Sequence, residues 1–133
     1  MNSRAKGQRG ERELADYLST AGFPARRGMQ FSGGPWSPDV VCDGLPFHIE
    51  AKRTERLNLD AAISQAERDA GGRKPWAVFH RRNRTGWRAT VAADTLLELV
   101  RLATATSTLA SETNPAQACP PFTASGRGEH AQD

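Results

Sequence analysis

The stretch Ser37 to Lys52, SPDVVCDGLPFHIEAK, constrains the fold of this chain more than any other. Asp-Gly at Asp43-Gly44 is a strong reversal signal, since a tight hairpin turn needs residues that accept positive φ. The apolar run Val40-Val41-Cys42 precedes it, and Phe47-His48-Ile49-Glu50-Ala51-Lys52, which alternates apolar and polar residues, follows. A reversal there folds the first run back along the second as an antiparallel pair. Successive strand side chains point to opposite faces. Phe47, Ile49 and Ala51 therefore share one face, and His48, Glu50 and Lys52 the other. Pro38 biases Ser37 to an extended form, so Asp39 opens the first strand and is carried toward Glu50 and Lys52.

Two carboxylates and an ammonium that converge suit phosphodiester hydrolysis. That reaction needs a nucleophilic water, charge neutralisation in the transition state and help for the departing oxygen. Hard oxygen ligands select Mg²⁺, with Mn²⁺ as a substitute, and magnesium typically uses one or two carboxylates plus water and substrate phosphate. Asp39 and Glu50 supply the carboxylates. Lys52 is placed either to orient or activate the water or to neutralise developing charge. Taken alone, Glu50-Ala51-Lys52 also fits an exposed surface ion pair worth about 0 to 1 kcal/mol.

The flanking segments read as helix, strand, then the pair just described, followed by helix, strand, strand and helix. Lys6 to Thr20 is an amphipathic helix with Leu14, Ala15 and Leu18 at helical spacing and Gly22 as its stop. Glu11 falls on that apolar stripe. It is either a wet first-turn carboxylate favoured by the helix dipole or a third acidic group aimed at the site. Phe23 to Gln30 is a short strand carrying Arg26 and Arg27, and Phe31 to Pro38 is a Gly/Pro-rich loop of the kind found near ligands. Asn58 to Ala70 is a second helix ended by Gly71-Gly72, with Gln65 to one side of its apolar stripe. Pro75 to His80 and Trp87 to Val91 pair around a turn at Asn83 to Gly86. Arg81, Arg82, Arg84 and Arg88 on this hairpin form either a solvated tip or a nucleic-acid contact. Asp94 caps a last helix from Thr95 to about Ala103. This order is an α/β sandwich on a small mixed sheet.

A chain of 133 residues supports one domain with its own core. We place it at residues 1–103. From Thr104 onward the sequence is poor in large apolar residues and rich in Thr, Ser, Ala, Pro and Gly, the composition of a disordered tail, 104–133. That tail holds Arg127 against Glu112, Glu129 and Asp133, so the net charge of +3 becomes +5 for the first 103 residues. A basic domain suits a polyanionic partner. Cys42 and Cys119 do not form a disulfide framework, and no cysteine and histidine spacing matches a zinc site. No apolar run reaches the roughly 20 residues that span a bilayer, and no secretory signal opens the chain. A soluble, cytoplasmic protein is expected.

Pro38-Asp39 followed by Glu50-Ala51-Lys52 resembles the motif of the PD-(D/E)xK nuclease superfamily. The run Lys6-Gly7-Gln8-Arg9-Gly10-Glu11-Arg12-Glu13-Leu14 resembles the first helix of its archaeal-type Holliday junction resolvase branch. Gly22-Phe23, Arg27, Pro75 to Phe79 and Gly86-Trp87-Arg88 resemble the same branch, so the likeness covers about Lys6 to Val91. It implies a restriction-endonuclease-like αβββαβ core and an endonuclease acting in DNA recombination and repair. It further implies a Mg²⁺ ion held by Asp39, Glu50 and the Ala51 backbone carbonyl, a catalytic Lys52, and Glu11 as the acidic residue from the first helix. Arg12 and Arg27 match positions that contact DNA near the scissile phosphate. The implied assembly is a homodimer that cuts opposed strands of branched DNA symmetrically. Gln65 resembles a glutamine of some other nucleases of the superfamily, and by position alone reads as a solvated helix residue.

Two other readings fit the residues. One is a phage or mobile-element nuclease of the same fold acting on ends, flaps or single strands, because substrate choice lives in loops and dimer geometry. The other is a non-catalytic DNA-binding module using Arg9, Arg12, Arg26, Arg27, Arg81, Arg82 and Arg84, with no metal requirement and a steep salt dependence. The acidic pair opposes this last reading, because carboxylates without a cation repel phosphate.

Overall fold

The computed structural model describes residues 3–29 and 37–113. Helix α1, Ser3–Thr20, is followed by strands β1, Ala25–Arg27, β2, Val40–Cys42, and β3, His48–Arg53. Helix α2, Leu59–Ala70, strands β4, Trp76–Arg81, and β5, Arg88–Val91, and helix α3, Ala93–Thr113, complete the order. The five strands form one mixed sheet in the order β1-β2-β3-β4-β5. β3 and β4 are parallel, joined through α2, and every other neighbouring pair is antiparallel. This is the α/β, αβββαβ arrangement expected from the sequence. The loop expected at Phe31 to Pro38 lies, except for Ser37 and Pro38, outside the described residues, as does Cys119.

Local signals in the sequence end the elements where they were expected to act. α1 closes on a Schellman motif: Phe23 N–H bonds the Leu18 carbonyl at 2.9 Å, Gly22 N–H bonds that of Ser19 at 3.1 Å, and Gly22 takes φ 99°. Asn58 caps α2 by accepting from Ala61 N–H at 3.1 Å, and Gly71 ends it in the left-handed region at φ 60°. The chain reverses at Asp43-Gly44, with Leu45 N–H on the Cys42 carbonyl, but through a five-residue connection in which neither Asp43 nor Gly44 takes the positive φ of a tight hairpin turn. Val40 comes to lie opposite Ile49.

Some boundaries differ. β1 is three residues long rather than spanning Phe23 to Gln30, because Phe23 N–H is spent on the end of α1 and Pro24 has no N–H to give a ladder. Asp94 lies inside the first turn of α3 rather than capping it. α3 also runs on to Thr113, ten residues past its expected end, since 104–113 contains neither Gly nor Pro to stop it.

The chain divides into two units, Met1–Thr95 and Leu96–Asp133. In the first, the sheet has a helix on each face. Leu14, Ala15 and Leu18 of α1 pack on Val40, Cys42 and Ile49, while Ala62 and Ala66 of α2 pack on Val78. Leu14, Ile49, Val40 and Val78 are almost wholly buried, each worth about 1.5–3 kcal/mol relative to exposure. In the second unit, α3 exposes Leu96, Leu97, Val100 and Leu102.

Candidate active site

The site arises where β2 and β3 part. Their pairing ends at Val40 and Ile49, with Asp39 N–H on the Ile49 carbonyl at 2.9 Å. β3 continues to Arg53 with β4 on its far side. The Ala51 N–H on the parted side is left without a strand carbonyl, and the Asp39 carboxylate takes it instead, Oδ2 accepting at 2.9 Å. Asp39 is thereby fixed at the fork. A second constraint comes from Gly28, whose N–H bonds the Asp39 carbonyl at 2.8 Å. A Cβ on Gly28 would overlap the Pro38 carbonyl oxygen, so only glycine lets β1 approach this closely.

Glu50 points to the α2 face and is almost wholly buried. Its Oε1 lies 3.0 Å from His48 Nε2, while Oε2 is buried with no hydrogen-bond partner among the described residues. Asp39 and Glu50 interact directly. The Asp39 carboxyl is pushed up to about 7, first by burial and next by the Glu50 charge. Glu11 adds to the rise, and the Ala51 N–H opposes it. A half-ionised acid beside buried Glu50 is a local excess of negative charge. The oxygen-only donors and the unpartnered Glu50 Oε2 fit a hard divalent cation.

Lys52 projects on the Glu50 face, where its Nζ donates to Gln65 Oε1 of α2 at 2.9 Å. Gln65 is therefore held against the site rather than solvated. Glu11 approaches from α1 and accepts from Arg27 Nε at 2.9 Å. Asp39, Lys52, Gln65 and Glu11 line a cleft of about 300 Å³ with Lys6 and Arg53. A neighbouring cleft of about 460 Å³, lined by Arg4, Gln8 and Arg27, meets it at Gly7, Glu11 and Asp39. α1 can lie this close to β3 because residue 10 is glycine: a Cβ there would press on Arg53 Cβ at 2.9 Å.

The arginines expected at a nucleic-acid contact separate into groups. Arg27 lines the cleft beside Asp39. Arg9, Arg12 and Arg26 are exposed, Arg9 paired with Glu13 at 3.5 Å and Arg26 with Asp43 at 3.9 Å. Arg81 and Arg82 join Arg56, His80 and Arg88 around a basic cleft of about 390 Å³. There Arg81 stacks over Trp87, and burial and Arg88 lower the pKa of His80. Arg84 occupies the exposed turn at φ 63°.

Sequence reasoning missed three groups. Arg53 lines the cleft and pairs with Glu13 at 2.6 Å; its signal was its place one residue past Lys52 on the same strand. His48 was placed beside Glu50, but its burial depends on α2 covering that face. Asp69, in the last turn of α2, brings a carboxylate oxygen within 4.8 Å of both a His48 ring nitrogen and a Glu50 oxygen.

No helix among the described residues is long and apolar enough to cross a membrane. Neither a protein-family model nor a curated protein matches the sequence. A similar solved structure is that of Archaeoglobus fulgidus Hjc, a Holliday junction resolvase from an archaeal hyperthermophile. It is 28% identical, with 62% of this chain and 73% of that chain covered and a TM-score of 0.48. The chain is similar to an archaeal resolvase, the branch that its Pro38-Asp39, Glu50-Ala51-Lys52 and first-helix runs resemble.

Proposed function

We propose that this chain is a Mg²⁺-dependent DNA endonuclease with branched DNA as its substrate. The observation that carries the reading is the fork between β2 and β3, where Asp39 meets the buried Glu50 and lines a cleft together with Lys52. Asp39, Glu50 and the Ala51 carbonyl are the proposed ligands, with Mn²⁺ able to replace Mg²⁺. A divalent cation there supplies an activated water and neutralises charge on the phosphate. Lys52, steadied by Gln65, would orient the attacking water and offer positive charge to the developing anion. Glu11, anchored by Arg27, completes the acidic ring from the α1 side, and Arg27 and Arg12 receive the phosphates flanking the scissile one. The branched substrate and the homodimer rest on the family resemblance of Lys6 to Leu14 and of the later strand pair.

A synthetic four-way junction incubated with the protein and Mg²⁺ should be nicked symmetrically, with little cleavage of linear duplex. Asp39→Asn, Glu50→Gln and Lys52→Ala should each lower the rate by at least about a hundredfold, in the range expected for lost charge stabilisation, while leaving junction binding intact. Undiminished cleavage by Glu50→Gln would refute the assignment.

A further inference from the structure

We infer that His48 is a positioning residue that aims the Glu50 carboxylate at the cation, an inference that rests on the metal-site reading above. A glutamate's terminal torsion is broad and roughly two-fold, so a buried carboxylate needs a second group to choose which oxygen faces the site. His48 does this. It precedes Glu50 by two residues on β3, projects on the same face and holds Oε1 at 3.0 Å with both side chains buried. A carboxylate oxygen accepts, so the imidazole tautomer that makes this bond is the one with its proton on His48 Nε2. Oε2 is then left buried with no hydrogen-bond partner among the described residues, in the carboxyl group that contacts Asp39. Leaving such an oxygen unpaired is costly, which is accounted for when the oxygen is reserved for a cation.

Asp69 supplies the other end of the arrangement. Its side chain is largely buried, is 3.7 Å from Arg68 Nε and reaches within 4.8 Å of the His48 ring. The resulting order, Asp69 to His48 to Glu50, runs from the last turn of α2 to the proposed site. His48, Glu50 and Asp69 also lie close enough to hold a cation of their own. The 3.0 Å His48–Glu50 contact is, however, already a direct hydrogen bond, with the imidazole nitrogen spent on the carboxylate. Outer partners of this kind typically change metal affinity ten- to a hundredfold.

Mn²⁺ binding to the full chain without DNA, followed by electron paramagnetic resonance, tests this. Wild type should bind, Glu50→Gln should lose the ion, and His48→Leu should bind about ten- to a hundredfold more weakly. His48→Gln, which places an amide nitrogen near the Nε2 position, should recover most of the affinity, whereas His48→Asn should not. If His48→Leu fails to fold, the comparison of the Gln and Asn variants decides, and equal affinity in those two overturns the inference. Wild-type affinity in His48→Leu with loss in Glu50→Gln overturns it and leaves the metal site standing. Equal binding by wild type and Glu50→Gln, or none by either, overturns both. An ion lost in Asp69→Asn but kept in Asp39→Asn makes His48 a ligand of a separate cation and also overturns it.

Discussion

Asp39 sets the chemistry of the fork through its proton. Its carboxyl titrates near 7 in the folded chain against 3.8 for an ordinary aspartate, so the folded state binds the proton more tightly. Stability from this group is greatest below about pH 3.8 and declines as pH rises to about 7, by an amount on the order of a few kcal/mol. Asp39→Asn keeps the acceptor for Ala51 N–H but removes the charge. Metal-free, this variant should melt above wild type by a margin that opens from pH 4 and levels off above pH 7, as thermal scans across pH would show. A margin unchanged with pH would mean that Asp39 is not strained by burial. Adding Mg²⁺ at pH 8 should stabilise wild type and not the variant, because a cation competes with the proton for the same oxygens.

At the scale of elements, the β2–turn–β3 unit was legible because Asp-Gly fixes the reversal and alternation fixes the faces. Asn58 and the glycines at 22 and 71 announced the helix ends for equally local reasons. What lay beyond the sequence depended on docking. That α2 covers the Glu50 face explains why Gln65 meets Lys52 and why His48 is buried, and no periodicity within either segment encodes that contact. Gly28 belongs to the same class, since its need for glycine comes from Pro38 of another segment. Gly28→Ala should displace Pro38 and Asp39 from their places beside the end of β1. Overpacking of this kind costs about 1–3 kcal/mol, so a lowered melting temperature is expected, together with a loss of cleavage larger than the loss of fold. Normal cleavage by a folded Gly28→Ala chain would show that the β1–β2 approach does not position Asp39.

For the molecule as a whole, the buried core among the described residues runs from Leu14 to Val78. A chain cut after Ala103 should therefore melt cooperatively within a few degrees of the full chain, which circular dichroism would test. The basic groups around the clefts should make junction affinity fall steeply with salt, with Arg27→Ala and Arg82→Ala each reducing the log–log slope by about 1. An unchanged slope would remove that residue from the phosphate contacts. The sheet also has a seam. Beyond Val40 and Ile49, what joins β2 to the onward half of β3 is a side chain on an amide, Asp39 on Ala51 N–H. That one proton is a gauge of how the seam opens: its solvent exchange should be faster than that of amides bonded between β3 and β4. Its NMR frequency should follow Asp39 through titration near pH 7 and shift again when a cation takes the carboxylate.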